Sequence, residues 1–215
     1  MSKRSSPDRP GNLRIIGGRW RGRRFVLPSH ADIRPTPDRV RETLFNWLTP
    51  VIDGMRCLDL FAGSGALGLE ALSRGASEAW FVDKSEAAIA RLTDTLQALG
   101  CQSAKVVTAD ALRFLRQQNG RFDMVFLDPP FDAIDLVNLC TLLEANWLAP
   151  GAHIYLEVSR ENELPLMPET WSTLREKTAG QVRFALARRT VKNQEPQVGT
   201  DQDAGERQMS KDEGG

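Results

Sequence analysis

The chain has 215 residues and a hydrophobic content of 41%, which is enough to bury one substantial core and predicts one folded domain flanked by tails. No apolar run approaches the roughly 20 residues that span a bilayer, and the first ten residues are basic without the apolar core of a signal peptide. These features argue against a membrane or secreted protein, so we expect a cytoplasmic protein without a membrane partner.

The formal net charge is zero at pH 7, but the charges are unevenly distributed along the chain. Residues 1–28 hold eight Lys or Arg and one acid, Asp8, whereas residues 191–215 hold three bases and six acids. Residues 1–11 and 191–215 also lack hydrophobic periodicity. We therefore predict a disordered basic tail and a disordered acidic tail.

The folded part begins with a glycine-rich basic segment, residues 12–33, in which β-forming residues alternate with arginine. This pattern predicts a small β-hairpin. Its candidate RNA-binding residues are Arg19, Trp20, Arg21, Arg23 and Arg24, with the arginines suited to phosphates and Trp20 suited to stacking. A solvated charged face is the simpler interpretation, and four arginines within six residues disfavour it.

The main domain is predicted over residues 34–190. Its first helix is expected to be capped by Thr36 or Asp38 and to run to Leu48, since Val40, Leu44, Trp47 and Leu48 recur on one face. Strands then alternate with helices, which is typical of a doubly wound parallel sheet. The predicted strands cover residues 56–61, 78–83, 105–108, 122–127 and 153–158, and the predicted helices cover residues 65–74, 85–99, 111–116 and 134–146.

The end of the domain departs from a plain α/β pattern. Residues 171–178 and 181–189 are two β-like runs joined at Ala179 and Gly180, which predicts an antiparallel hairpin. A mostly parallel sheet completed by such a hairpin is the arrangement of class I methyltransferases, whereas dinucleotide-binding folds continue in parallel.

A glycine-rich turn follows the first strand of this domain. Gly63, Gly65 and Gly68 satisfy the G-x-G-x-x-G pattern, and Asp83 follows Gly63 by 20 residues, where an acid binds ribose hydroxyls in nicotinamide enzymes. An NAD-dependent oxidoreductase is therefore a rival interpretation. Asp59 disfavours it, because an acid just before the turn repels a pyrophosphate and suits a cationic ligand bearing an amine.

Three acids, Asp59, Asp83 and Asp110, follow three successive strands, and the carboxyl edge of such a sheet is where ligands bind. Asp110 can accept from an adenine amino group while the N–H of Ala111 donates to the ring. The candidate cofactor-binding residues are Asp59, Phe61, Gly63, Gly65, Asp83, Asp110 and Ala111. Asp83 and Asp110 can equally be helix N-caps, and Glu70 is predicted to be a solvent or cap-network residue.

A second motif, Asp128-Pro129-Pro130-Phe131, follows the apolar strand that ends at Leu127. A stiff exit turn explains two prolines, but it requires neither the acid before them nor the aromatic residue after them. Asp128 and the Pro129 carbonyl can each accept one N–H of an exocyclic amine, while Phe131 stacks on the base that carries it. We predict these four residues to be catalytic.

Cys57, Cys101 and Cys140 are odd in number and lie among apolar residues, which predicts buried free thiols in a reducing compartment. Metal ligation is not expected.

The chain resembles amino-methyltransferases with an Asp-Pro-Pro-Phe type motif and, more narrowly, the bacterial D-type small-subunit ribosomal RNA guanine-N2 methyltransferases. The resemblance extends from Leu13 to about Arg189, and the segments that carry it are RIIGG (14–18), WRGRR (20–24), RPTPDRVRETLFNWL (34–48), FAGSGALGLEALSR (61–74) and DPPF (128–131). It implies S-adenosylmethionine as methyl donor and a guanine N2 amino group as acceptor, in small-subunit RNA with or without bound ribosomal proteins.

Several alternatives stay open at this point. Adenine-N6 methylation would use the same chemistry of the Asp-Pro-Pro-Phe motif. An RNA-binding assembly factor with a vestigial methyltransferase fold would carry the same basic hairpin. Residues 34–37, with Arg39 and Arg41, form either a helix that packs on the sheet or a cover over the pocket. A monomer is the default expectation for the oligomeric state.

Overall fold

A computed structural model describes residues 12–26, 37–117, 120–130 and 135–190. Phe131, residues 27–36 and both predicted tails lie outside these ranges. The described elements follow the chain in this order: β1 (Asn12–Arg14), β2 (Arg24–Val26), α1 (Asp38–Leu48), β3 (Arg56–Asp59), α2 (Ala66–Ser73), β4 (Glu78–Asp83), α3 (Glu86–Ala98), β5 (Ala104–Thr108), α4 (Ala111–Gln117), β6 (Phe122–Leu127), α5 (Leu136–Asn146), β7 (Leu148–Ser159), β8 (Trp171–Ala179) and β9 (Val182–Arg189).

The main sheet has seven strands in the order β5-β4-β3-β6-β7-β9-β8. The strands from β5 to β7 are parallel, whereas β9 runs antiparallel to both β7 and β8. The predicted doubly wound sheet with an antiparallel C-terminal hairpin is confirmed. The chain moves outward from β3 to β5 and returns to β6 on the other side of β3, so the switch point at which such folds bind ligands lies between β3 and β6.

The sheet buries a hydrophobic core on each face. On one face, Leu44 of α1 and Phe126 of β6 share a core with Leu13 and Ile15 of the N-terminal hairpin. The other face packs on α4 and α5, with Trp147 fully buried. The hairpin is therefore packed into the core of the main domain, and burial of its apolar side chains stabilises that position.

The predicted start of α1 is wrong in detail. Pro37 occupies the N-cap position without a side-chain cap, and Asp38 lies in the first turn, where it pairs with Arg41. Thr36 lies outside the described residues. The Pro37 carbonyl accepts from the N–H groups of Val40 and Arg41, so the first turn forms without a side-chain cap.

Smaller differences concern the strand ends and the cysteines. Strand β7 begins at Leu148, five residues before the predicted start, because Leu148 pairs with Phe122 ahead of a register irregularity. All three cysteines are free thiols; Cys57 and Cys140 are buried as predicted, and Cys101 is partly exposed. Among the described helices, none is long and apolar enough to cross a membrane.

Candidate functional site

The carboxyl ends of three adjacent strands place the predicted acids along one edge of the sheet. Strand β3 ends at Asp59 and β4 ends at Asp83. Asp128 follows β6, the other neighbour of β3. The glycine-rich turn and the Asp-Pro-Pro segment, which are about 65 residues apart in sequence, therefore meet at the switch point.

The glycine-rich turn has the backbone that its sequence demands. Gly65 has a φ of 78°, a left-handed value that favours glycine, and a Cβ there would lie 2.5 Å from Leu92 Cδ1. A Cβ on Gly68 would lie 2.2 Å from Phe81 Cε1. Gly65 thus shapes the turn, while Gly68 allows α2 to pack closely on β4.

Asp59 lies beneath this turn and is only 2% exposed. Its Oδ2 accepts a hydrogen bond from the Gly68 N–H at 3.0 Å. Burial, together with the charges of Asp128 and Asp83, raises the pKa of its carboxyl to about 7, although the hydrogen bonds from Gly68 and Phe61 act to lower it. Asp59 therefore ties the end of β3 to Phe61, at the start of the turn, and to the first turn of α2.

Asp83 ties the turn to the next helix. Its Oδ2 accepts from the Gly63 N–H and its Oδ1 from the Ser85 N–H, both at 2.8 Å. The N-cap of α3 is Ser85, whose Oγ accepts from Ala88, so the interpretation of Asp83 as a cap is wrong. A carboxylate with one bond on each oxygen keeps lone pairs for two further donors.

Asp110 and Ala111 lie at the start of α4, beside the end of β5. Asp110 is exposed, and its Oδ1 accepts from the Arg113 N–H at 3.0 Å, which confirms the cap interpretation. Ala111 is buried and Phe61 is half-buried. The residues predicted to bind a cofactor thus line the turn and the ends of β4 and β5.

The Asp-Pro-Pro segment leaves β6 with Asp128 half-buried, Pro129 buried and Pro130 exposed. Beside it, on β7, lies an acid that our sequence reasoning missed. Glu157 is 3% exposed, and the Tyr155 hydroxyl donates to its Oε2 at 2.5 Å. Burial and then the charge of Asp128 raise the pKa of Glu157 to about 8. The sequence feature that could have identified Glu157 is its position as a single acid within the apolar run of β7.

The N-terminal hairpin presents four exposed arginines: Arg19, Arg21, Arg23 and Arg24. The prediction that Trp20 stacks on RNA needs correction. Trp20 is only 9% exposed, belongs to the hydrophobic core, and has the Arg19 guanidinium 4.0 Å from its ring centre. Its ring is covered from both sides, so Trp20 anchors the hairpin.

Glu70 is fully buried, which corrects its prediction as a solvent or cap-network residue. Its two carboxylate oxygens accept from the backbone N–H groups of Ile16 and Gly17, each at 2.8 Å, and Arg74 donates to it at 2.7 Å. Ser73 extends this junction by accepting from the Trp20 N–H and donating to the Gly17 carbonyl. Helix α2, which follows the glycine-rich turn, thus clamps the hairpin.

Of the two arginines at the start of α1, Arg41 packs within the fold, as expected if this segment packs on the sheet and does not cover the pocket. Arg41 is buried, donates to Asp38 and to the Arg14 carbonyl, and lies 3.9 Å from Glu70. Arg39 is exposed. The rest of the segment, residues 34–36, lies outside the described residues.

The strand order with an antiparallel β9, the turn after β3 and the Asp-Pro-Pro segment after β6 define a class I methyltransferase fold. A solved structure named putative methyltransferase yhhF from Escherichia coli has 50% sequence identity and a TM-score of 0.77, and the match covers 84% of this chain and 99% of that one. This likeness and the antiparallel β9 support a methyltransferase fold rather than the alternative dinucleotide-binding fold.

The family model described as conserved hypothetical protein 95 matches residues 13–188. Ribosomal RNA small subunit methyltransferase D of Escherichia coli is 50% identical over 185 residues, covering 86% of this chain and 93% of that protein. The Haemophilus influenzae protein of the same name is 46% identical over 193 residues, covering 86% and 98%. This chain belongs to the family of D-type small-subunit ribosomal RNA methyltransferases.

Proposed function

We propose that this protein transfers a methyl group from S-adenosylmethionine to the N2 amino group of a guanine in small-subunit ribosomal RNA, in the cytoplasm. The observation that carries the proposal is the meeting of Asp128 and Pro129 with the glycine-rich turn at the switch point between β3 and β6. The names of its relatives support ribosomal RNA as the substrate, and the sequence resemblance supports guanine.

The turn and its acids fit the methyl donor. The left-handed Gly65 gives the turn its shape, and Asp83 retains lone pairs for ribose hydroxyls. Asp110 and the Ala111 N–H would hold the adenine. Asp59 is buried, so it would act through the hydrogen bonds that it accepts from the backbone of Phe61 and Gly68. When bound, S-adenosylmethionine supplies a methyl group that its sulfonium already activates for attack.

The acceptor side has to orient a poor nucleophile, because the lone pair of an exocyclic amine is delocalised into the base. Asp128 accepts one N–H and the Pro129 carbonyl, held rigid by Pro130, accepts the other. With both N–H groups held, the nitrogen lone pair would face the methyl group of the bound donor. The donor would supply that methyl group and leave as a neutral thioether, and the proton lost by the nitrogen would pass to solvent. Positioning supplies most of the rate in such a reaction.

RNA recognition is assigned to the hairpin. Residues 135–190 form α5, the last three strands of the main sheet and their connections. The described part of the chain after β6 therefore contains no separate domain for nucleic-acid recognition. The exposed arginines at positions 19, 21, 23 and 24 would contact phosphates. An RNA-recognition element as small as this hairpin suits a target site whose shape is already fixed by folded RNA and ribosomal protein.

The test is methylation of small ribosomal subunits from cells lacking the protein, with isotope-labelled S-adenosylmethionine and nucleoside analysis by mass spectrometry. We expect label in N2-methylguanosine, and we expect Asp128→Ala to lower the rate about 100-fold or more, as misplacement of a reacting group does. Glu163→Ala, at an exposed loop acid, is the matched control. Label in N6-methyladenosine would reject guanine, and full activity of Asp128→Ala would reject the assigned role.

A further inference from the structure

The Asp-Pro-Pro segment has an acidic neighbour whose position follows from the strand register. In the parallel pair of β6 and β7, Leu127 is opposite Leu156, so the next residues, Asp128 and Glu157, are adjacent across the two strands. The rings of Phe126 and Tyr155, two residues earlier on each strand, meet edge to face at 6.5 Å. Side chains two residues apart share a face, so Asp128 and Glu157 project to the same side.

The surroundings of Glu157 are otherwise apolar. Its register partner on β9 is Phe184, and Trp47 of α1 packs on the Phe184 ring at 5.4 Å. The titratable groups that act on it are Asp128, on β6, and Tyr155, on its own strand. A buried carboxyl with one hydroxyl donor and an acidic neighbour is a costly arrangement unless a proton is held there.

We propose that Glu157 is a positioning residue for methyl transfer, which in its protonated form donates a hydrogen bond to Asp128 and orients the carboxylate that receives the acceptor amine. Tyr155 donates to Oε2, so the carboxyl proton belongs on Oε1. Glu157 is too buried to reach the base itself. The inference rests on the proposed function, because Asp128 is assigned to the amine there.

Protonation of Glu157 is consistent with its surroundings, since burial and Asp128 together raise its pKa to about 8. Loss of the proton would remove the donor and place a second negative charge beside Asp128. The rate of methyl transfer should therefore fall as the pH rises through about 8.

The first measurement needs neither methyl donor nor RNA. Carbon-13 NMR of the glutamate side-chain carboxyls, with Glu157→Gln to assign the resonance, should show Glu157 titrating far above the exposed glutamates. Asp128→Asn should lower that titration midpoint, because it removes a neighbouring negative charge. An unchanged midpoint in Asp128→Asn would reject the coupling. This readout stays valid even if no RNA is methylated, in which case the proposed function alone fails.

The second measurement is the pH profile of methyl transfer at saturating substrate. Glu157→Ala should lower the rate at least about tenfold by loosening Asp128, and Glu157→Gln should restore most of it, since an amide both donates to Asp128 and accepts from Tyr155. Glu157→Gln should also lack the alkaline fall. Tyr155→Phe should move that fall to higher pH, because the Tyr155 hydrogen bond lowers the pKa of Glu157.

Circular dichroism and thermal melting show whether each variant is folded. A folded Glu157→Gln enzyme with the wild-type alkaline fall, or a Glu157→Ala enzyme with the wild-type rate, would overturn the proposal. A merely structural role would change stability without moving the pH profile.

Discussion

The carboxylate of Glu70 accepts the backbone N–H of Gly17 at 2.8 Å, across 53 residues of sequence. Helix α2, which begins at the glycine-rich turn, is therefore bonded directly to the hairpin that carries the exposed arginines. The two parts of the proposed site, one for the methyl donor and one for RNA, are joined through this buried acid.

Replacing Glu70 should destabilise the fold strongly. Glu70→Ala leaves two backbone N–H groups and the Arg74 guanidinium without their acceptor, and breaking a buried ion pair costs about 3–5 kcal/mol. Urea unfolding measures the change. Glu163→Ala, on the surface, should stay within about 0.5 kcal/mol of the wild type. Equal free energies of unfolding in the two variants would contradict the claim that Glu70 stabilises the contact between α2 and the hairpin.

Replacing Gly65 should weaken binding of the methyl donor. Gly65→Ala adds left-handed strain of about 1–2 kcal/mol and a contact with Leu92, so we expect at least about a tenfold loss of S-adenosylmethionine affinity by calorimetry. Gly100→Ala is the matched control, because Gly100 has a φ of 61° with nothing within 4 Å of an added Cβ. It should lose stability but keep affinity, and an equal affinity in both variants would exclude Gly65 from the site.

The stability of the protein should fall as the pH rises from about 4 to about 7. The Asp59 carboxyl keeps its proton up to about pH 7 in the folded protein, whereas an unfolded aspartate loses it near pH 4. In this window the folded state binds more protons than the unfolded state, so the free energy of unfolding decreases with pH. Asp59→Asn should make the slope less steep, whereas Asp94→Asn, on the exposed side of α3, should leave it as in the wild type. Denaturant unfolding at several pH values measures the slope of the free energy of unfolding against pH for each variant. Identical slopes in the wild type and Asp59→Asn would contradict the prediction.

Removing two hairpin arginines should reduce the salt dependence of RNA binding. Each phosphate contact contributes about 0.7–0.9 to the slope of log K against log salt, so Arg21→Ala with Arg23→Ala should lower the slope by about 1.4–1.8 and weaken binding. Filter binding to small-subunit RNA at several salt concentrations measures it. Arg175→Ala, on the exposed edge strand β8, is the control. An unchanged slope in the double variant would contradict phosphate contacts by these arginines and would leave the hairpin with a structural role only.

The sequence by itself determined most of the secondary structure and the order of the motifs. Strands such as β4 and β6 were predicted with their observed bounds, because a buried parallel strand is a continuous apolar run that local pattern reveals. The Asp-Pro-Pro segment and the glycine-rich turn were also visible in the sequence, because each is a local requirement of the backbone.

Only the tertiary structure showed the surroundings of Trp20, Glu70 and Glu157. In the sequence Trp20 is an aromatic residue among arginines, yet its ring is buried in the hydrophobic core and its N–H bonds to Ser73 of α2. The partners of Glu70 lie 53 and 54 residues away, and Asp128 reaches Glu157 only through the pairing of β6 with β7. Burial and hydrogen bonding of these side chains depend on which distant segments the fold brings together, and local periodicity carries no record of that.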